Sequence, residues 1–308
     1  MSNRMACGAP RGAALIGCAA LAGALPLLAW PGCAAPGRNY VGVLTDYGTR
    51  DHYAAVLTAS ILRANPEARI VPITHDIEPY NVVQGAFVLS EAVPAFPPGA
   101  VVLGIVDPGG TARNPIVAVT QAGHLLVGPD NGLFDLLLRR EGASAVYLLE
   151  RVDLVVSNRE EGPPRDVFGP VAGYLSRGHG PETLGPRLDR WTRVDLAEPA
   201  RENGVLHGAV LHVDRFGNLL TNLPGAWLKE HAVGTCFTVE RVHRAPGAQP
   251  LARAQCSRQR TYGDVPAGEY VAIEGASQQV EIARNQGDAA AALGIEVGDE
   301  IVLQPLAE

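Results

Sequence analysis

Asp46 and Asp107 each stand at the end of an apolar run, VGVLTD at 41–46 and AVVLGIVDPG at 100–109, and Arg113 follows the second within the segment DPGGTAR. Apolar runs of this length, closed by turn residues, predict buried β-strands, and open α/β sheets bind their ligands beyond the carboxyl ends of such strands. Two carboxylates delivered there, one with a cation close behind, can hold a polar substrate or a water molecule through charge-assisted hydrogen bonds. Plainer duties suit the same residues: an aspartate after a strand caps a helix or opens a turn, and Asp107 with Arg113 can form a structural ion pair. Gly109 and Gly110 let the backbone behind Asp107 turn tightly and approach a ligand closely. A third short segment, GPDNGLF at 128–134, contains Asn131.

These strand ends need an α/β layer to carry them. The stretch RDVFGPVAGYLSRG reads as helix, and near residues 190–204 the pattern changes to the alternation of VLHGAVLHVD, a half-buried strand. Short β-like runs follow, TCFTVERV and GEYVAIEG, separated by Gly/Pro turns, before AAAALGIEVGDEIVL closes the chain as a short helix and a strand. The expected organisation is a leader at 1–35, an α/β N-terminal domain at 39–195 and a smaller all-β C-terminal domain at 203–308.

The leader is read from Arg4 and Arg11, followed by an uncharged run from Gly12 to Gly32, the layout of a secretory signal peptide. Cys33 is a candidate for lipidation and Cys18 an alternative, while an uncleaved anchor competes, since the run is long enough to span a bilayer. The expected location is periplasmic or membrane-attached. Cys236 and Cys256 remain in the C-terminal domain, either as a disulfide or as two separate thiols. The formal charge of −7 becomes −9 once Arg4 and Arg11 leave with the leader, which argues against a basic nucleic-acid face. No His, Cys or carboxylate pair has zinc-site spacing, so no metal is expected.

With these residues in view, the chain resembles, over about 39–308, the S-adenosyl-L-methionine (SAM) hydroxide adenosyltransferase family, relatives of the SAM-dependent fluorinases and chlorinases. The resemblance rests on the order and spacing of TDYG, DPGGTAR, GPDNGLF, THDIEPYNVVQGAFVL, RDVFGPVAGYL, VDRFGNLLTNLP and IARNQGDAAAALGIEVGDEI. It implies an α/β N-terminal domain, a smaller all-β, barrel-like C-terminal domain, and a homotrimer binding SAM between the N-terminal domain of one subunit and the C-terminal domain of the next, with no cofactor. It further implies Asp46 on the ribose hydroxyls, Tyr80 beside the ribose, Asn131 in the substrate site, and Asp107 and Arg113 at the reacting centre. Asp214 would meet the methionine amino group, Phe216 would stack on the adenine, Asn218 would read its edge, and Ala283 to Gln286 would offer backbone groups to the same base. By itself, FGN is an ordinary turn.

One departure bears on the chemistry. Hydroxide-transferring members carry a histidine in Phe-His-Gly-Arg-Asp, where with the Asp and Arg of the DPG loop it activates water. Here that segment reads GPPRD, with Pro163 at the histidine position, and proline offers no side-chain base. The DPG loop is also one residue shorter than the usual Asp-Pro-Gly-Val-Gly-Thr form. Halogenation fits less well, since Asp107 stands where fluorinases have a tyrosine, and a carboxylate there repels halide. His52 and His75 are the histidines expected near the site, with His75 bonding locally. The expected activity is hydrolysis of SAM to adenosine and L-methionine; the alternative is a non-catalytic SAM- or adenosine-binding exported protein.

Overall fold

The computed structural model describes residues 37–107, 115–151, 154, 164–242 and 253–306. Arg113, Pro163, Cys18 and Cys33 lie outside them, as does the leader.

The N-terminal half builds one seven-stranded sheet in the order β2-β1-β3-β5-β4-β6-β7. Its members are β1 (Tyr40–Thr45), β2 (Arg69–Thr74), β3 (Val101–Ile105), β4 (Pro115–Thr120), β5 (Leu125–Pro129), β6 (Ala143–Leu148) and β7 (Arg187–Leu188). The pairs β1/β2, β1/β3 and β3/β5 are parallel, and the remaining pairs antiparallel. The unbroken burial of β1 after Tyr40 and of all of β3 follows from covering the sheet on both faces.

Helices α1 (Tyr53–Ala64) and α4 (Pro164–Ser176) cover one face, packing Leu57, Ile61, Phe168 and Val171 on Val41, Leu103 and Val127. They lie close because α4 presents glycines to α1: a Cβ on Gly173 would sit 2.7 Å from the Ile61 carbonyl oxygen. The other face carries α2 (Val82–Ala92) and α3 (Asp135–Glu141), with Leu89, Phe134 and Leu137 on Leu44, Val102 and Leu126. Helix α2 begins at Asn81, whose side chain accepts the Gln84 amide, so the segment before it arrives at the sheet edge in a fixed direction.

The C-terminal half is a β-barrel. Its strands are β8 (Ala200–Glu202), β9 (Val205–Val213), β10 (Leu219–Pro224), β11 (Cys236–Arg241), β12 (Ala254–Arg258), β13 (Tyr270–Glu274), β14 (Gln279–Arg284) and β15 (Glu300–Pro305). The order β10-β14-β13-β12-β11-β15-β9 closes through β10 pairing with β9, and β8 is added outside on β9. Phe237, Val239, Ile282, Ile301 and Leu303 fill the interior. Closure leaves no open edge in the ring, which the alternation of single strands does not reveal. Short helices α5 (Gly225–Lys229) and α6 (Ala289–Leu293) pack on the barrel.

The barrel register decides the cysteine question. Cys256 stands opposite Phe237, and Cys236 opposite Ser257. Successive residues of a strand point to opposite faces, so Cys256 enters the core while Cys236 is exposed, and both are free thiols. Burial pushes the Cys256 thiol up to about 12.

Candidate functional site

Asp46 leaves the carboxyl end of β1, and its Oδ2 accepts two backbone amides, from Tyr80 at 3.1 Å and from Asp107 at 3.3 Å. Both donors have left-handed backbones, φ 69° at Tyr80 and 42° at Asp107. Non-glycine residues adopt that region reluctantly, so the carboxylate holds two segments in conformations their own side chains disfavour. On the far side of Asp107, Asn131 Nδ2 donates to the carbonyls of Val106 at 2.8 Å and Asp107 at 3.1 Å. Asp46, Tyr80, Asp107 and Asn131, from four separate segments, therefore meet at one place on the carboxyl edge of the parallel strands. Because Oδ2 serves the backbone, Oδ1 is the oxygen Asp46 has left for a ligand.

Tyr80 is 74 % exposed, although its backbone is fixed. An exposed aromatic on a held backbone is a ready contact surface, with less backbone entropy left to lose on binding. His75 lies on the same edge, its Nδ1 2.9 Å from Thr45 Oγ1, and Thr45 is wholly buried. The bond reaches across to the neighbouring strand β1 and is not one within its own turn. His52 instead precedes α1, its ring tilted 35° against that of Tyr53 with centroids 4.6 Å apart.

In the C-terminal half, Asp214 organises the turn between β9 and β10. Its Oδ1 accepts the amides of Phe216 at 2.8 Å and Asn218 at 2.9 Å, and its Oδ2 accepts Asn218 Nδ2 at 2.9 Å. Gly217, at φ 82°, permits the reversal. The consequence parallels Tyr80: Phe216 stands 70 % exposed on a locked backbone. Asn218 is buried, with its amide nitrogen committed to Asp214, which leaves its carbonyl oxygen as the group available to a base. Ala283 is wholly buried under the segment around Val265 and in register with Val271, so only its backbone can serve a ligand. Gln286 occupies a left-handed position, φ 53°, in the turn after β14.

Two clefts flank the Tyr80 segment. One of about 470 Å³ is lined by Tyr80, Asn81, Asn131, Val194, Asp195 and Val297, and one of about 490 Å³ by Glu78, Asn81, Val213, Ala290 and Val297 among others. Both draw on the α/β half and the barrel. Behind them His212 of β9 stacks on Phe87 of α2, centroids 5.6 Å apart, and its buried Nδ1 has no hydrogen-bond partner among the described residues. Burial lowers the pKa of His212 from 6.5, with the charges of Asp214 and Glu78 partly opposing, and burial likewise lowers His75 and His231. The unfolded chain therefore binds more protons than the folded one just below 6.5, and stability is lost as pH falls through that range. Urea midpoints should drop between about pH 7.5 and 5.5, with a shallower drop in His212→Phe, which keeps the ring stack; an unchanged slope would remove His212 from the explanation.

Sequence reasoning missed the work of GPDNGLFD beyond Asn131. Asp130 Oδ1 accepts the Thr192 amide at 2.8 Å, and wholly buried Asp135 accepts Trp191 Nε1 at 2.9 Å and the Val194 amide at 3.3 Å. These carboxylates dock the connection between the two halves beside the cleft. A lone carboxylate in the apolar run LFDLLL was the available signal, since a buried charge demands partners.

The chain matches the model for the SAM hydroxide adenosyltransferase N-terminal domain over residues 41–185 and that for its C-terminal domain over 208–302. It is 36 % identical over 269 residues to a protein of Salinispora tropica named (R)-S-adenosyl-L-methionine hydrolase, covering 85 % of this chain and 96 % of the relative. A Thermus thermophilus protein of the same name is 35 % identical over 266 residues, covering 83 % of this chain and 95 % of the relative. The crystal structure of an uncharacterized conserved protein from Thermotoga maritima superposes with a TM-score of 0.76 at 35 % identity, over 86 % of this chain and 99 % of that one.

Proposed function

The chain belongs to the SAM hydroxide adenosyltransferase family, and from that premise we propose that it hydrolyses SAM to adenosine and L-methionine. The observation that carries this reading is the junction at the sheet edge, where one Asp46 oxygen fixes Tyr80 and Asp107 while the other is left for a ribose diol. The names of the Salinispora and Thermus relatives point to the same reaction.

The step is an in-line displacement. The oxygen of water forms a bond to C5′, the C5′–S bond breaks with its electron pair going to sulfur, and the water's second proton passes to solvent. Sulfur leaves as a neutral thioether from a sulfonium, so no acid is needed at the leaving group, and the chemistry asks for no metal or redox cofactor. Catalysis reduces to holding a desolvated water in line with C5′. Asp107 would accept a hydrogen bond from that water, with Arg113 as the cation that the family pattern pairs with it. Asp46 would take the ribose hydroxyls through Oδ1, Tyr80 the ribose face, Asp214 the methionine ammonium, and Phe216 and the Asn218 carbonyl the adenine.

Tyr80 and Phe216 are both exposed within one chain, which supports a homotrimer in which each site is completed by a neighbouring subunit. The layout of the leader supports export, with Cys33 or Cys18 as the candidate for lipidation. Phe216→Ala removes the stacking surface and should weaken SAM binding by about 5- to 150-fold, the range for losing one base–aromatic stack; calorimetry showing no change would move the adenine elsewhere.

Pro163 favours the second reading, a binding protein without turnover, because the water-activating histidine is missing. Incubation with SAM, followed by chromatography, separates the two: adenosine and methionine in equal amounts above background support hydrolysis, whereas bound SAM without products supports the binding protein. Restoring the imidazole with Pro163→His should raise adenosine release, by up to the roughly 10²- to 10⁴-fold that general-base help supplies. No gain would mean that the loop does not reach C5′.

A further inference from the structure

The edge of the α/β sheet opposite the site gathers arginines. Arg38 precedes β1, Arg69 opens β2, Arg63 lies in the last turn of α1 and Arg177 follows α4. Hydrogen bonds knit these positions together: Arg38 Nη1 to the His179 carbonyl at 2.7 Å, the Arg69 amide to the Asn39 carbonyl at 2.7 Å, and Asn65 Nδ2 to Ser176 Oγ at 2.8 Å. Arg177 Nη1 reaches the Ala64 carbonyl at 3.5 Å. Among the described residues none of the four guanidinium groups is paired with a carboxylate, whereas Arg139, Arg140, Arg201 and Arg241 each are. The acidic residues on these same segments are Glu67 and Glu182, so the edge is positive on a chain whose net charge is −7. Arg63 and Arg177, with Ser60 and Tyr174, also line a pocket of about 290 Å³.

We propose that this edge docks on an anionic phospholipid surface, with the Arg63–Arg177 pocket receiving a headgroup phosphate. Charge complementarity is the first argument, because guanidinium forks match phosphate oxygens and each basic group near an anionic leaflet adds to binding. Chain length is the second. Cys33 precedes Gly37 by four residues, at most about 14 Å of extended chain, so lipidation at Cys33 itself would keep this edge near the bilayer, whereas an anchor at Cys18 would leave a longer tether. A single lipid signal binds marginally, and a basic patch beside it is the second signal that stable attachment needs. Six-residue strands separate this edge from Asp46, about 20 Å, so the docked protein turns its site away from the membrane.

The test uses residues 34–308, which form a compact unit without the leader, so that charge is measured apart from anchoring. Co-sedimentation is compared for vesicles of phosphatidylcholine alone and with phosphatidylglycerol added. The expected result is binding to the anionic vesicles that falls steeply with salt, and a drop of about 30-fold in Arg63→Ala/Arg177→Ala at about 1 kcal/mol per arginine. The double variant should keep the parent's thermal midpoint and its SAM turnover or binding, since neither arginine approaches the site. Equal partition into both vesicle types, or a double variant that binds as the parent does, would overturn the proposal. So would release from the vesicles by a few millimolar inorganic phosphate at constant ionic strength, which would mark a free-anion site.

Discussion

Asp46→Ala should abolish measurable binding of SAM and of adenosine. The substitution removes the acceptor assigned to the ribose diol, and it also frees the amides of Tyr80 and Asp107 from the one carboxylate oxygen that holds them. Hydrogen bonds to a charged group are worth about 1.5–3 kcal/mol each, so losing the ligand bonds alone raises Kd more than about 100-fold. The backbone effect adds to this, because Tyr80 and Asp107 occupy left-handed conformations that relax once their amides are unheld. Asp46→Asn separates the contributions: its amide oxygen can still accept the backbone bonds but offers the ribose a donor in place of the second oxygen. Affinity unchanged in Asp46→Ala by calorimetry would contradict both roles.

Asp107→Asn should do the reverse, sparing binding and lowering turnover. Asparagine tolerates positive φ about as well as aspartate, so the loop keeps its course and the clamp from Asn131 survives. What is lost is the negative charge that the proposed mechanism assigns beside the attacking water. An expected fall of about 10²- to 10⁴-fold in kcat, with Kd for SAM within a few-fold of the parent, follows from the usual worth of a positioned base. Single-turnover kinetics reads the chemical step directly. A kcat equal to the parent's would remove Asp107 from the reaction.

The sequence carried the strands better than the contacts between them. The apolar runs ending at Asp46 and Asp107 predict β1 and β3 because a sheet covered on both faces leaves no polar alternation to interpret. The alternation of VLHGAVLHVD likewise marks β9. The barrel was legible through the family resemblance alone; its closure by β9 and β10 leaves no mark in any one strand, since it depends on pairing between strands. The separation of Cys236 from Cys256 depends on register in the same way.

At the site, the residue types of Asp46, Asp107 and Asn131 were legible, but their geometry was not. That a single oxygen of Asp46 holds two left-handed residues leaves no trace in composition, because neither Tyr80 nor Asp107 is a glycine. Asp214 shows the opposite relation: the turn suggested by FGN and the rigid display of Phe216 prove to be one arrangement, since the aspartate that shapes the turn also fixes the aromatic.

The central claim is attack of water at C5′, and turnover in oxygen-18 water tests it most directly. The account predicts one labelled oxygen in the 5′-hydroxyl of the adenosine released, by mass spectrometry, and none in the methionine. Release of adenine or methylthioadenosine in place of adenosine, or adenosine without the label, would contradict it.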